Sequence, residues 1–175
     1  MTSDFATLGA AAVAAAASFL NLLISAGNRR REGNREAVRV SISRNLDRVG
    51  RLVHEVIALS YILAKNENPD LHKEKHERAK GAADKLKDLR LDVRYSLWGI
   101  EEGLRTLTRV PDWVAHTKSD IDRQEKLLQA ASSLGLVLDD VIRKTYFSGT
   151  HPNIYSRWRV KRKAAKVRSI FDAFN

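Results

Sequence analysis

Residues 42–63 read ISRNLDRVGRLVHEVIALSYIL, and their spacing decides the fold class. Ile42, Leu46, Val49, Val53, Val56, Ser60 and Leu63 follow one another at intervals of 4, 3, 4, 3, 4 and 3. On an α-helix such a series keeps to one face, whereas a strand would need alternation. The seam predicts an amphipathic helix with Ser60 as its one polar member. Leu52, Ile57, Leu59 and Ile62 widen the stripe, so the helix is expected to pack against more than one neighbour. Asn66-Glu67-Asn68-Pro69-Asp70 then stops it.

The same period recurs downstream. Leu86, Arg90, Val93, Leu97, Ile100, Leu104 and Leu107 repeat it, with Leu89 beside Arg90, which predicts a second helix over about 71–109. Val110-Pro111-Asp112 is expected to end that helix, because proline disfavours helical geometry in the residue before it. Its first turns, His72 to Lys80, are polar all round and are expected to protrude past the bundle or to fray. A third helix is predicted over about 112–147 on Val114, Thr117, Ile121, Gln124, Leu128, Ala131, Gly135, Leu138 and Ile142, with a cap or kink near Thr117 to Asp120. Ser148-Gly149-Thr150-His151-Pro152-Asn153 is the clearest turn, and a final helix follows over about 154–174. Long helices joined by short connections predict an all-α, elongated antiparallel bundle of three to four helices.

Upstream of the bundle, Phe5 to Gly27 are 23 residues without a charge. As a helix they would cover about 34 Å, against about 30 Å for a hydrocarbon core. Nine alanines stand against eight larger apolar residues, which makes this a marginal span. Asp4 precedes it and Arg29, Arg30 and Arg31 follow, an order that places the N-terminus outside and the rest on the cytoplasmic face of the cell membrane. A cleaved signal peptide would begin with cations, and a soluble, oligomer-buried alanine-rich helix is the bland alternative. Ala6, Ala10, Ala14 and Ser18 form a stripe of small residues, with Asn21 close by, which suits self-association of the helix in lipid. Alanine-rich segments also generate such stripes by chance.

The net charge of +10 has two sources. Residues 28–51 carry eight arginines against Glu32, Glu36 and Asp47. Residues 157–168 carry Arg157, Arg159, Lys161, Arg162, Lys163, Lys166 and Arg168 with no acid. Tyr155, Trp158, Phe171 and Phe174 are interleaved with the second set. Cations with Trp and Tyr suit an anionic lipid surface or an acidic partner, and the same mixture suits phosphates and bases of a nucleic acid. The plain alternative is that Trp158, Val160, Ala164, Val167 and Phe171 pack on the bundle while the charges are solvated.

Signs of catalysis are thin. With no cysteine, thiolate chemistry and disulfides are excluded. His72 and His76 share a helix face, but Lys73 stands where a zinc-protease helix needs Glu. Asp139-Asp140 and Glu101-Glu102 are adjacent and point about 100° apart, so Asp139 is expected to pair with Arg143 one turn on. His54 reads as a flank or core residue. No catalytic, metal or cofactor site is expected.

The sequence thus suggests three segments: an anchor at 1–28, a cytoplasmic bundle at 29–147 and a basic amphipathic helix at 148–175. The expected role is binding, as a scaffold, adaptor or assembly subunit, self-associated and in contact with anionic lipid. A pore-forming effector lined by Ser18 and Asn21 and a soluble nucleic-acid-binding bundle are the alternatives.

Overall fold

The heptad seams become the core of a helical bundle. The computed structural model describes the backbone of residues 2–43, 45–65, 69–94, 97–117 and 120–173, and their side chains except those of 2–17, 46, 47 and 69–71. Among the described residues there are six helices and no strand: α1 (Thr2–Ser43), α2 (Leu46–Lys65), α3 (Pro69–Asp92), α4 (Glu101–His116), α5 (Ile121–Ser148) and α6 (Ile154–Asp172).

Cross-helix neighbours fix the directions. A Cβ on Gly135 would meet Ile57, and Ser132 donates to the Tyr61 hydroxyl, so α2 and α5 run antiparallel. Arg159 reaches Asp140, Lys163 reaches Ser133 and Arg123 reaches the Ile170 carbonyl, so α5 and α6 do likewise. The central element is α4, which packs against α2, α3, α5 and α6. Its residues Leu104, Leu107, Val110, Pro111 and Val114 are buried. All described members of the first seam, Ile42, Val49, Val53, Val56, Ser60 and Leu63, are buried. Ser60 is tolerated there because its hydroxyl donates to the Val56 carbonyl at 2.7 Å.

Among the described residues the bundle proper contains five helices, α2 to α6, where three to four were expected. The long helix predicted over 71–109 is two helices. Leu86, Leu89, Val93, Leu97, Ile100, Leu104 and Leu107 are all buried, yet the chain reverses between Asp92 and Glu101. The signal is Gly99, whose φ of 88° is open to glycine and strained for other residues. Pro111 does not end a helix; α4 runs through it to His116 and forgoes one backbone hydrogen bond there. The next reversal falls at Thr117–Asp120. Asp120 caps α5 by accepting from the Arg123 N–H at 3.0 Å. Ile121, expected in the core, opens α5 and is 77% exposed. The early turns of α3 do not protrude: Ala79 is buried and His76 Nε2 lies 3.1 Å from Asp112 Oδ1.

Helical bonding resumes directly after α1. The Asn45 N–H donates to the Ile42 carbonyl and the Val49 N–H to the Asn45 carbonyl, so α1 leads into α2 with only a brief interruption. Val38 and Ile42 are buried against the bundle, whereas every described residue from Ser18 to Ala37 is exposed. The helix therefore leaves the bundle as a stalk. It departs beside the α5–α6 turn: the Arg39 guanidinium donates to the Phe147 carbonyl, and Arg35 lies against Gly149. With φ at 62°, Gly149 closes α5, and a Cβ there would come within 2.8 Å of the Arg35 carbonyl oxygen. The end of the bundle from which α1 emerges, the proximal end, thus holds the α3–α4 and α5–α6 connections.

Among the described residues no helix is long and apolar enough to cross a membrane. The structure does not show the transmembrane span expected over 5–27. The described side chains begin at Ser18, and Ala6, Ala10 and Ala14 lie outside them.

Candidate functional site

The last helix is built to present one face and bury the other. Asn153 caps it, accepting from the Ser156 N–H at 2.8 Å. At its far end the Arg123 guanidinium donates to the carbonyls of Ile170 and Phe171, and Phe171 stacks on Trp113 with centroids 4.8 Å apart. Val160, Ala164 and Val167 are buried against α4 and α5. At about 100° per residue, the opposite face carries Ile154, Tyr155, Trp158, Lys161, Arg162 and Lys166, all exposed.

The seven basic residues of this helix divide by direction. Arg159 pairs with Asp140 at 3.3 Å and Arg168 with Glu102 at 2.6 Å. Lys163 donates to the Ser133 hydroxyl at 2.7 Å. Arg157 donates to the Pro152 carbonyl at 2.7 Å, and its guanidinium lies 4.1 Å from the centre of the Trp98 ring. These four hold α6 to the bundle. Lys161, Arg162 and Lys166 remain directed outward, and Arg162 lies 5.3 Å from the centre of Trp158. Trp158 in turn stacks on Tyr155 at 6.1 Å, so the outer face is an aromatic and cationic ladder. Trp158, a core candidate on the plain reading of the sequence, is 52% exposed.

Arg29, Arg30 and Arg31 are exposed on the stalk. Four to six residues before Arg35, they stand about 6–9 Å beyond the proximal end of the bundle. That end also gathers large apolar side chains that the protein leaves uncovered. Leu91, Trp98, Phe147, Ile154, Tyr155 and Trp158 are each more than half exposed. Elsewhere on the bundle, exposed large residues such as Ile62, Ile121 and Leu136 stand singly. This concentration, rimmed by charge, makes the proximal end the candidate site. Sequence reasoning had missed Leu91, Trp98 and Phe147. The Trp98-Gly99 pair was the available signal, since a glycine inside a helical pattern marks a possible reversal.

On the stalk, Phe19, Leu20, Leu22, Leu23 and Ile24 are 55–66% exposed. They cover an arc of about 200° around the helix axis. Ser18, Asn21, Ser25 and Asn28 occupy the remaining side at intervals of 3, 4 and 3. Ser25 is partly satisfied by donating to the Leu22 carbonyl at 3.0 Å.

Other polar groups have local partners. Asp139 pairs with Arg143 at 2.9 Å, as expected, and Lys144 pairs with Asp140. His54 is exposed, with Nδ1 2.8 Å from the Gly50 carbonyl. Among the described residues no group of three or more His, Cys, Asp or Glu side chains could hold a metal ion. No family model, curated protein or solved structure matches the chain.

Proposed function

We propose that this protein is a membrane-tethered binding module, with α1 as tether and the proximal end of the bundle applied to an anionic bilayer. The observation that carries this reading is the wide apolar arc on the stalk. Covering a large apolar side chain fully contributes about 1.5–3 kcal/mol, so five side chains more than half exposed leave on the order of 5–9 kcal/mol of unmet burial. The arc faces no part of the bundle, and lipid would cover it.

The charge order supports one orientation. Arg29, Arg30 and Arg31 would hold the bundle on the cytoplasmic face. Gly27 lies eight residues before Arg35, a rise of about 12 Å, and headgroups occupy about 5–7 Å of that distance. Long side chains such as Trp158 and Arg162 would bridge the remainder. Tethering raises their effective concentration at the surface, so weak contacts there suffice. The role is then to present the bundle, as scaffold or adaptor, at the bilayer. The polar stripe Ser18, Asn21, Ser25, Asn28 supports pairing of α1 with a second copy, because polar side chains in lipid seek partners across a helix contact.

Flotation of full-length protein with liposomes tests the reading. Flotation with anionic and neutral liposomes alike, resistant to high salt, is expected from an inserted α1. Protein that stays at the bottom of the gradient with both would contradict it. A second reading, in which several α1 helices line an opening with Ser18 and Asn21 inward, rests on the same stripe. It predicts release of an entrapped dye from those liposomes.

A further inference from the structure

The proximal end holds one more feature, apart from the outer face of α6. Between the α3–α4 connection and the α5–α6 turn lies a cleft of roughly 580 Å³, lined by Leu91, Asp92, Arg94, Trp98 and His151. A smaller depression of about 350 Å³ shares Leu91, Arg94 and Trp98 and continues over Arg90, Glu101 and Arg105. The two form one trough with two chemistries, apolar where Leu91 and Trp98 lie and cationic where three arginines converge. The larger part falls within the range of about 300–1,000 Å³ usual for small-molecule sites.

Its charges are arranged unevenly. Among the described residues Arg90, Arg94 and Arg105 make no ion pair. The Glu101 carboxylate is engaged by the Gly99 N–H at 3.1 Å, which leaves Asp92 as the other acid of the trough. Trp98 is fixed by the Arg157 guanidinium, itself held by the Pro152 carbonyl. Gly99 makes that packing possible, since a Cβ there would lie 2.5 Å from Arg157 Cδ. The indole is therefore held in place while remaining 58% exposed beside Leu91. Arginine forks suit phosphate oxygens, and an exposed indole beside a leucine suits hydrocarbon.

We propose that this trough binds an anionic amphiphile, with a headgroup phosphate held by Arg94 together with Arg90 and Arg105 and the start of an acyl chain laid over Leu91 and Trp98. The inference deepens the membrane reading, in which acidic phospholipid is the ligand's source. The geometry of the trough does not depend on α1.

The test uses full-length protein in zwitterionic detergent micelles, with Trp113→Phe and Trp158→Phe so that Trp98 is the one fluorophore. Phosphatidylglycerol brominated on its acyl chain is titrated in, with brominated phosphatidylcholine as the neutral control. The expected result is saturable quenching by the anionic lipid, reversed by unbrominated phosphatidylglycerol and at least about tenfold weaker with phosphatidylcholine. Arg94→Gln should weaken the anionic titration about tenfold. Lys126→Gln, exposed in the early turns of α5 at the other end of the bundle, should leave it within about twofold. Equal quenching by both lipids, or indifference to Arg94→Gln, would overturn the proposal. Full displacement by millimolar inorganic phosphate would overturn the amphiphile and assign the arginines to a soluble phosphate compound. Flotation separates this outcome from the tether: protein that fails to float yet shows the selective quenching keeps the trough and loses the anchor.

Discussion

The outward triad of α6 offers the sharpest quantitative prediction. Replacing Lys161, Arg162 and Lys166 together by Gln removes three charges that the bundle does not use. With α6 laid along the vesicle surface, which a fragment lacking residues 1–27 is free to do, each basic residue contributes about 1 kcal/mol, so the loss is about 3 kcal/mol, a factor of about 160 in the partition constant. The assay is sedimentation of the fragment 28–175 with vesicles containing phosphatidylserine, at low and at physiological salt. This fragment keeps every described core residue, since the first buried one is Val38. Lys163→Gln serves as the contrast, because its ammonium is engaged by Ser133 and turned toward the bundle. It should change vesicle binding less than about threefold, well below the effect of the triad. If the triad variant binds as well as the parent, or Lys163→Gln costs as much, the division of α6 into inward and outward charges is wrong as an account of binding.

Three further outcomes follow from the packing. Leu104→Ala, on the central helix and fully buried, should cost about 2–5 kcal/mol and lower the melting temperature by about 5–15 °C, read by circular dichroism. Gly149→Ala should destabilise by about 1–3 kcal/mol in urea titration, because the positive φ is strained and the Arg35 backbone leaves no room for a Cβ. Asn153→Ala removes the cap of α6 and should cost about 1 kcal/mol, with hydrogen exchange rising first in residues 154–157.

The sequence revealed the helical class and the core more readily than the reversals. The spacing of Ile42 to Leu63 was enough to name the buried face of α2, because burial on a helix repeats with its own period. The same regularity concealed the α3–α4 reversal. Val93 and Leu97 stay in phase with Leu89 and Leu104, and both sides of the turn face one core. Gly99 carried the information, but its positive φ is a property of the folded backbone. Pro111 misled in the opposite sense: α4 absorbs it, and it is buried on a helix that packs against four others.

The candidate surface was legible in part. The stripe of Val160, Ala164 and Val167 marked the inner face of α6, but the same spacing also placed Trp158 there, and Trp158 is exposed. Which cations are engaged could not be read locally, because their partners Glu102, Ser133 and Asp140 come from other helices. The assembly of Leu91, Trp98, Phe147 and Trp158 at one end is a product of topology. The order of α3 to α6 brings the end of α3, the α3–α4 connection, the end of α5 and the start of α6 beside the stalk.

The measurement closest to the central claim is carbonate extraction of membranes from cells producing either the full-length chain or the fragment beginning at Asn28. The full-length protein should stay in the pellet at alkaline pH. The fragment should move to the supernatant with an unchanged melting temperature, since residues 18–37 bury nothing in the bundle. Full-length protein recovered in the supernatant before any carbonate is added would contradict the tether and make α1 a contact between protein copies.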